Sequence, residues 1–314
     1  RNVQLASWAA LDLAKSTPIK KTCGLNAGSS RGNTGKWEES LKKFYAGEPI
    51  PPQSSPHTTA GNLASSLAHF LQLEGIAFEH SITCSTFGHG LANAAAWLNS
   101  NMAEQFVVVG SEAPLTPFTF AQMDSLGVYS QASANEKLPC RALESNKKAN
   151  SMVLAEAAIA LCLEKNRGQS TFVISSIGFA KEISPSPSGM SKNGEVCAQA
   201  MSEALRGIDP QDVSAIVCHS PGTIQGDSSE MRALENVFGK NIPALTSNKY
   251  LMGHSFGASA GMSVEMGLWM LENRAFQAPE YLNQEPPKHM NRVLVNSIGF
   301  GGNAISILLE RNPA

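Results

Sequence analysis

The sequence predicts an α/β protein, and three observations carry that prediction. Short apolar runs such as QFVVVGSEA (105–113) and VSAIVCHS (213–220) have the length and content of buried strands. Between them lie longer segments with apolar residues at helical spacing, the alternation expected of layered strands and helices. Hydrophobic residues make up 42% of the 314-residue chain and charged residues 16%, which suits one large or two closely packed cores.

Taken in order, VQLASWAALDLAKS (3–16) has helical periodicity. KKTCGLNAG (20–28) then runs into the turn GSSRGNTGK, which invites a phosphate-loop reading. That reading fails, because Ser30 stands where the pattern needs its first glycine and Trp37 follows Lys36 in place of Ser or Thr. A glycine-rich strand-to-helix turn remains. PIPPQSSPH (49–57) reads as a loop, and TTAGNLASSLAHFLQL as a helix ending near Glu74-Gly75. AFEHSIT (77–83) is strand-like, GLANAAAWLN (90–99) helical, and 114–150 irregular. MVLAEAAIALCLE (152–164) and TFVISSIGFAKE (171–182) read as a strand pair.

SPSPSGMSKNG (184–194) is the most loop-like stretch and the expected boundary between halves 1–184 and 185–314. Beyond it come a helix (EVCAQAMSEALRG), the strand VSAIVCHS, a helix (SSEMRALENVFG), a strand (PALTSNK) and a long small-residue helix (SFGASAGMSVEMGLWMLENR). VLVNSIGFGGNAISILLER closes the chain as two strands around a glycine turn. TCSTFGHGLANAAAWL and SNKYLMGHSFGASAGMSVEMGLWML share a strand, a link, Gly-His and a small-residue helix. Gly88-His89 thus answers Gly253-His254, an echo that hints at a duplicated fold with two facing helices.

Twenty-four Lys and Arg against 26 Asp and Glu leave a net charge of −2 without a basic run, which argues against a nucleic-acid partner. No apolar stretch approaches the roughly 20 residues of a membrane span, and the start lacks a signal-peptide layout. Six scattered cysteines (23, 84, 140, 162, 197, 218) include no CxxC pair, so neither a disulfide framework nor a zinc site is expected. A reducing cytoplasmic setting is the default.

Cys84, in SITCSTFGH, stands where a strand passes into a helix. Unpaired N–H groups and partial positive charge at a helix start favour thiolate over thiol and can hold an oxyanion. A lone buried cysteine is more often an inert small apolar residue. His219 ends an apolar strand before PGTIQGD with Asp227, and Glu230 follows. His254 lies between Lys249 and a small-residue helix. NSIGFGGN sets Gly299, Gly301 and Gly302 around Phe300, which permits a tight turn close to a ligand. Singly, each has a bland reading as a satisfied histidine or a hairpin turn.

Together, in order and spacing, these motifs resemble the β-ketoacyl-acyl-carrier-protein synthases, condensing enzymes of fatty-acid and polyketide synthesis. TCSTFGH resembles their nucleophile motif, HSPGTIQGD their HGTSTPxGD, KYLMGH their KxxxGH and NSIGFGGNA their NSFGFGGTN. RALE and AEAA answer RPFD and GEGAG more faintly. The resemblance runs from residue 1 to about 311. It implies a thiolase-like, layered αβαβα fold of two duplicated halves. It implies that Cys84 takes an acyl chain from the phosphopantetheine of an acyl carrier protein, and that a malonyl extender then loses carbon dioxide. His219 and His254 would stabilise the enolate. The N–H groups of Cys84 and Phe300, with Gly299 and Gly301 beside Phe300, would form the oxyanion hole and acyl gate. Lys249 would act through Glu230, with Asp227 and Thr223 in support. No cofactor or metal is expected beyond the carrier-borne arm.

Departures are Ser220, Pro221, Ile298, Ala155 and Ala157; Pro221 replaces a threonine that contacts the malonyl-bearing arm in relatives, while Thr223 keeps the second. The family's first strand would precede Arg1, so a central strand of the first sheet is expected to be missing, and pieces of loop near 184 and 289 with it. The strand at 107–112 resembles one that pairs across a two-fold axis, which implies a homodimer or a heterodimer with a ketosynthase-like subunit. Residues 115–130 are expected to border the acyl tunnel. Two other readings stay open: a non-catalytic subunit of the chain-length-factor type, and a coenzyme A-dependent acyltransferase of the same fold.

Overall fold

The computed structural model describes the chain apart from residues 134, 166–169, 184–188, 190 and 313–314. The boundary expected at 184, and part of the loop around it, therefore lies outside the described residues. The chain divides into two compact units. One comprises Arg1–Leu126, Leu154–Lys165 and Ser255–Gly261; the other comprises Gly127–Val153, Asn166–His254 and Met262–Ala314.

The first unit holds a four-stranded mixed sheet of β1 (Gly24–Gly28), β2 (Ala77–His80), β3 (Gln105–Glu112) and β4 (Ala157–Glu164), in the order β2-β1-β3-β4. β1 is parallel to β2 and β3, and β4 runs antiparallel along all eight residues of β3. Every residue of β1 and β3 is buried, as expected of parallel strands covered on both faces. Helices α1 (Asn2–Ser16) and α4 (Asn62–Phe70) pack Ala6, Ala10, Leu63 and Leu67 against Leu25, Val107 and Val109. α2 (Thr34–Tyr45), α3 (Ser54–Thr58), α5 (Thr86–Asn99) and α6 (Pro117–Ser125) complete this set. α4 stops at Phe70, short of Glu74, with Gln72 in a left-handed conformation that breaks the helix. A turn of helix, α3, interrupts the expected loop at 49–57.

The second unit holds a five-stranded mixed sheet of β5 (Phe172–Lys181), β6 (Ala215–Val217), β7 (Ala244–Thr246), β8 (Arg292–Gly299) and β9 (Asn303–Arg311), ordered β5-β9-β8-β6-β7. α7 (Glu195–Ala204) and α8 (Ile224–Phe238) pack Val196, Ala200, Met201, Ala233 and Leu234 over Ile216, Leu294 and Leu308. α9 (Lys249–Met252) and α10 (Ser259–Asn273) complete the helices, α10 having its first three residues in the other unit. At the outer edge of β7 the Gln284 amide accepts from the Leu245 N–H (2.7 Å) and donates to its carbonyl (3.0 Å). That side chain occupies edge groups that would otherwise offer a template to another strand.

The two sheets repeat one order. β2-β1-β3-β4 matches β7-β6-β8-β9, and β5 adds an edge strand beyond β9. Three expectations are corrected by this topology. The runs 152–164 and 171–182 do not pair with each other, because they belong to different sheets: β4 lies antiparallel to β3 in the first, and β5 lies antiparallel to β9 at the edge of the second. The first sheet has no gap at its centre, since β1 and β3 pair directly. The strand at 107–112 has no free edge for a two-fold mate, as β1 and β4 take both sides. Among the described residues, β2, which leads toward Cys84, is an edge strand of this sheet.

At the end of β3, buried Glu112 accepts from the Ser30 hydroxyl (2.6 Å), the Ser30 N–H and the Gly257 N–H (3.1 Å). Burial outweighs these donors and pushes the carboxyl up from 4.5 to about 7. Its folded state therefore holds a proton that the unfolded chain releases, so this stability is full below pH 4.5 and fades as pH rises to about 7, at about 1.4 kcal/mol per unit. Glu112→Gln is expected to flatten that fall in urea unfolding between pH 5 and 8. An unchanged slope would refute it.

Candidate active site

The first unit builds a strained elbow between β2 and α5. Thr83 has φ of 47°, in the left-handed region that β-branched residues avoid. Its neighbours hold it there. The Thr86 hydroxyl donates to the Thr83 carbonyl (2.6 Å) and accepts from the Ile82 N–H (2.8 Å), and the Ser85 hydroxyl donates to the Ile82 carbonyl (2.9 Å). Cys84 sits in this elbow, buried and one residue ahead of the helix cap Ser85. Cys84 thus lies just ahead of the first turn of α5. Gly110 on β3 and Gly261 in the first turn of α10 leave room for the ring of Phe87, whose atoms would meet a Cβ at 2.7 and 3.0 Å. Small residues therefore let this end of α5 lie close to its neighbours.

The second unit brings His219 and His254 together, their ring centroids 5.3 Å apart and nearly perpendicular. Both are buried. The His219 N–H and the Ser220 N–H donate to the two oxygens of Glu230 (2.8 and 2.7 Å), which also accepts from the Ser220 hydroxyl (2.8 Å) and the Asn296 amide (3.2 Å). Glu230, on α8, is thus the clamp that fixes where the β6 strand ends. Ser220, a glycine in the family motif, adds a hydroxyl to that clamp. The His254 N–H donates to the Val153 carbonyl (2.7 Å). Lys249 is buried, with its ammonium 3.4 Å from the Ser263 hydroxyl.

Burial, reinforced by the Lys249 charge, pushes His254 down to about 3 and His219 well below its ordinary 6.5. Both rings are therefore neutral at pH 7. Each carries one N–H that can donate to a developing oxyanion, with no metal required for that donation. Nδ1 of His219 has no hydrogen-bond partner within the described residues.

The remaining expected residues have structural work in the same unit. Thr223 caps α8, its hydroxyl oxygen accepting from the Gly226 N–H at 3.1 Å. Asp227 accepts from the N–H groups of Leu143 (2.9 Å) and Gly222 (3.0 Å) and pairs with Lys147, both side chains buried. Phe300, half exposed, tops the β8–β9 turn, where Gly301 and Gly302 take φ of 80° and 69°. Gly299 ends β8 and pairs with Asn303.

Sequence reasoning missed Lys147 and α6. For α6 a signal existed: Thr116 as cap with Pro117 at the first helical position. Lys147 had none, because its acid lies 80 residues away. None of the six cysteines is joined in a disulfide among the described residues. Among the described residues no cluster of three metal-binding side chains occurs, and no helix is long and apolar enough to cross a membrane.

The two sheets of repeated strand order define a thiolase-like fold class. The model of the β-ketoacyl synthase N-terminal domain matches residues 1–168, and that of the C-terminal domain matches 171–284. The chain belongs to the β-ketoacyl synthase family. A curated relative, 3-oxoacyl-[acyl-carrier-protein] synthase 1 of Haemophilus influenzae, is 25% identical over 83% of this chain and 68% of its own length. A type II polyketide ketosynthase solved with its acyl carrier protein superposes with a TM-score of 0.86 at 20% identity, covering 99% of this chain and 84% of that one. A ketosynthase solved with its chain length factor from Xenorhabdus doucetiae gives 0.83 at 21%, covering 99% and 81%.

Proposed function

We propose that this chain is a β-ketoacyl synthase that condenses an acyl group held on Cys84 with malonyl-acyl-carrier protein. The observation that carries the proposal is the pair of buried, neutral imidazoles, His219 and His254, 5.3 Å apart. The residues 1–184 supply the nucleophile and 185–314 the imidazoles.

Cys84 attacks the thioester carbonyl of an acylated phosphopantetheine arm. The bond to the arm's sulfur breaks, and the arm leaves as its thiol. In the second stage the malonyl C–C bond breaks, carbon dioxide departs, and the electron pair passes to an enolate whose oxygen accepts from His219 and His254. The enolate carbon attacks the acyl-Cys84 carbonyl, whose oxygen is held by the N–H groups of Cys84 and Phe300, at the turn bounded by Gly299 and Gly301. Collapse breaks the C–S bond and leaves the β-ketoacyl chain on the carrier arm, and the Cys84 thiolate takes up a proton from solvent. Lys249 and Glu230 hold the imidazoles, while Asp227 and Thr223 shape the loop that meets the arm. The arm brings the substrates, and no further cofactor takes part.

The carrier protein is the partner, in a cytoplasmic setting. The free edge of β2 is the dimer strand, joining either an identical chain or a ketosynthase-like sister; a monomer in solution scattering at micromolar concentration would refute this. Incubation with acyl-carrier protein is expected to add one acyl mass, absent in Cys84→Ala. Labelling from acyl-coenzyme A alone, without condensation, would favour the coenzyme A-dependent acyltransferase, and no labelling from any donor the non-catalytic subunit.

A further inference from the structure

We propose that His80, on β2, is a positioning residue for the cysteine elbow, a role that rests on Cys84 being the acyl acceptor. Four residues before Cys84, its imidazole is the middle of a chain of hydrogen bonds across three elements. Asn93 of α5 donates to Asn26 Oδ1 (3.2 Å), and the Asn26 side-chain amide donates to His80 Nδ1 (2.8 Å). With Nδ1 accepting, Nε2 carries the proton and donates to the Thr86 carbonyl (2.8 Å). Thr86 is the residue whose hydroxyl holds Thr83 at positive φ, so the chain ends on the elbow's own brace.

The ring is slotted into place. A Cβ on Gly90 of α5 would stand 3.3 Å from the imidazole Cε1 and 3.3 Å from the Asn26 amide, and one on Gly28 of β1 would meet Thr86. Gly90 thus leaves space beside the imidazole and the Asn26 amide, and Gly28 leaves space for the Thr86 side chain. Burial keeps the ring neutral, the state in which Nδ1 can accept from Asn26. His89 adds a parallel tether, its Nδ1 lying 3.1 Å from the Ser85 carbonyl. Two histidines thereby hold the carbonyls of the two residues that follow Cys84. A wandering first turn would let the Cys84 N–H and sulfur lose their fixed relation, on which attack and oxyanion stabilisation both depend.

The test compares His80→Leu, which removes the donor, with His80→Gln, which keeps an N–H near the Nε2 position. At saturating acyl-carrier protein, His80→Leu is expected to slow acylation of Cys84 about tenfold, the worth of one buried hydrogen bond, with KM within about twofold. His80→Gln should recover to within about threefold of the parent. Loss spread equally over both variants, or acylation by His80→Leu at the parental rate, overturns the proposal. Asn26→Ala, which frees Nδ1 but leaves the ring, is the second variant should His80→Leu not fold; it should slow acylation about threefold, and a parental rate again overturns the proposal. Should the parent itself not be acylated, the nucleophile reading fails first. Iodoacetamide alkylation of Cys84, located by peptide mass, then reads the elbow alone, with the same order of variants expected and equal rates refuting.

Discussion

Alanine at His254 is expected to cut carbon dioxide release from malonyl-acyl-carrier protein by about a hundred- to a thousandfold, the range for removing one oxyanion donor. Acylation of Cys84 should stay within about threefold, because that step uses the helix start and not the imidazole pair. The same split is expected for His219→Ala. Retained decarboxylation in both variants would refute the enolate role. With His254 pushed down to about 3 and His219 well below 6.5, neither ring titrates in the working range, so decarboxylation should show no inflection near pH 6.5. Stability should respond instead. Below pH 6.5 the unfolded chain binds protons that these buried rings do not, so each His costs about 1.4 kcal/mol per unit of acidification. For His254 this continues until pH reaches about 3. His254→Asn should soften that acid slope in urea titrations, and an equal slope would sink the assignment.

Lys147→Met is expected to destabilise the protein by about 3–5 kcal/mol, the cost of leaving a buried carboxylate without its cation. Lys147 is the cation beside Asp227, and both side chains are almost wholly buried. Asp227 in turn accepts from Gly222 and Leu143, so the loop between His219 and α8 depends on the charge staying in place. Adding Asp227→Asn to Lys147→Met should recover most of the loss, because an amide needs no counter-ion. A single variant within about 1 kcal/mol of the parent, where exposed ion pairs fall, would show that the pair contributes little.

Much of this was legible in sequence because it is local. Near-continuous apolar runs mark β3, β8 and β9, since a strand covered on both faces is apolar along most of its length. HSPGTIQGD and KYLMGH could be read because their residues are close in the chain and act through their own turns. The Glu230 clamp bridges only ten or eleven positions. The errors arose where distant partners decide. Whether 107–112 has a free edge depends on β1 and β4, not on its own residues. The runs 152–164 and 171–182 look alike because either could close a sheet, and pairing alone says which sheet each closes. Lys147 and His80 could not be told from solvent-facing residues, as their partners Asp227 and Asn26 are 80 and 54 residues away.

The amino-acid order by itself determined the α/β class, the repeated halves, and Cys84, His219 and His254 as the residues to watch. Period and short-range motif encode those features. Tertiary structure decided the strand order, the free edge at β2, the Lys147–Asp227 pair and the His80 tether on the cysteine elbow. Each of these depends on a hydrogen bond or an ion pair between groups far apart in sequence, and burial sets its strength.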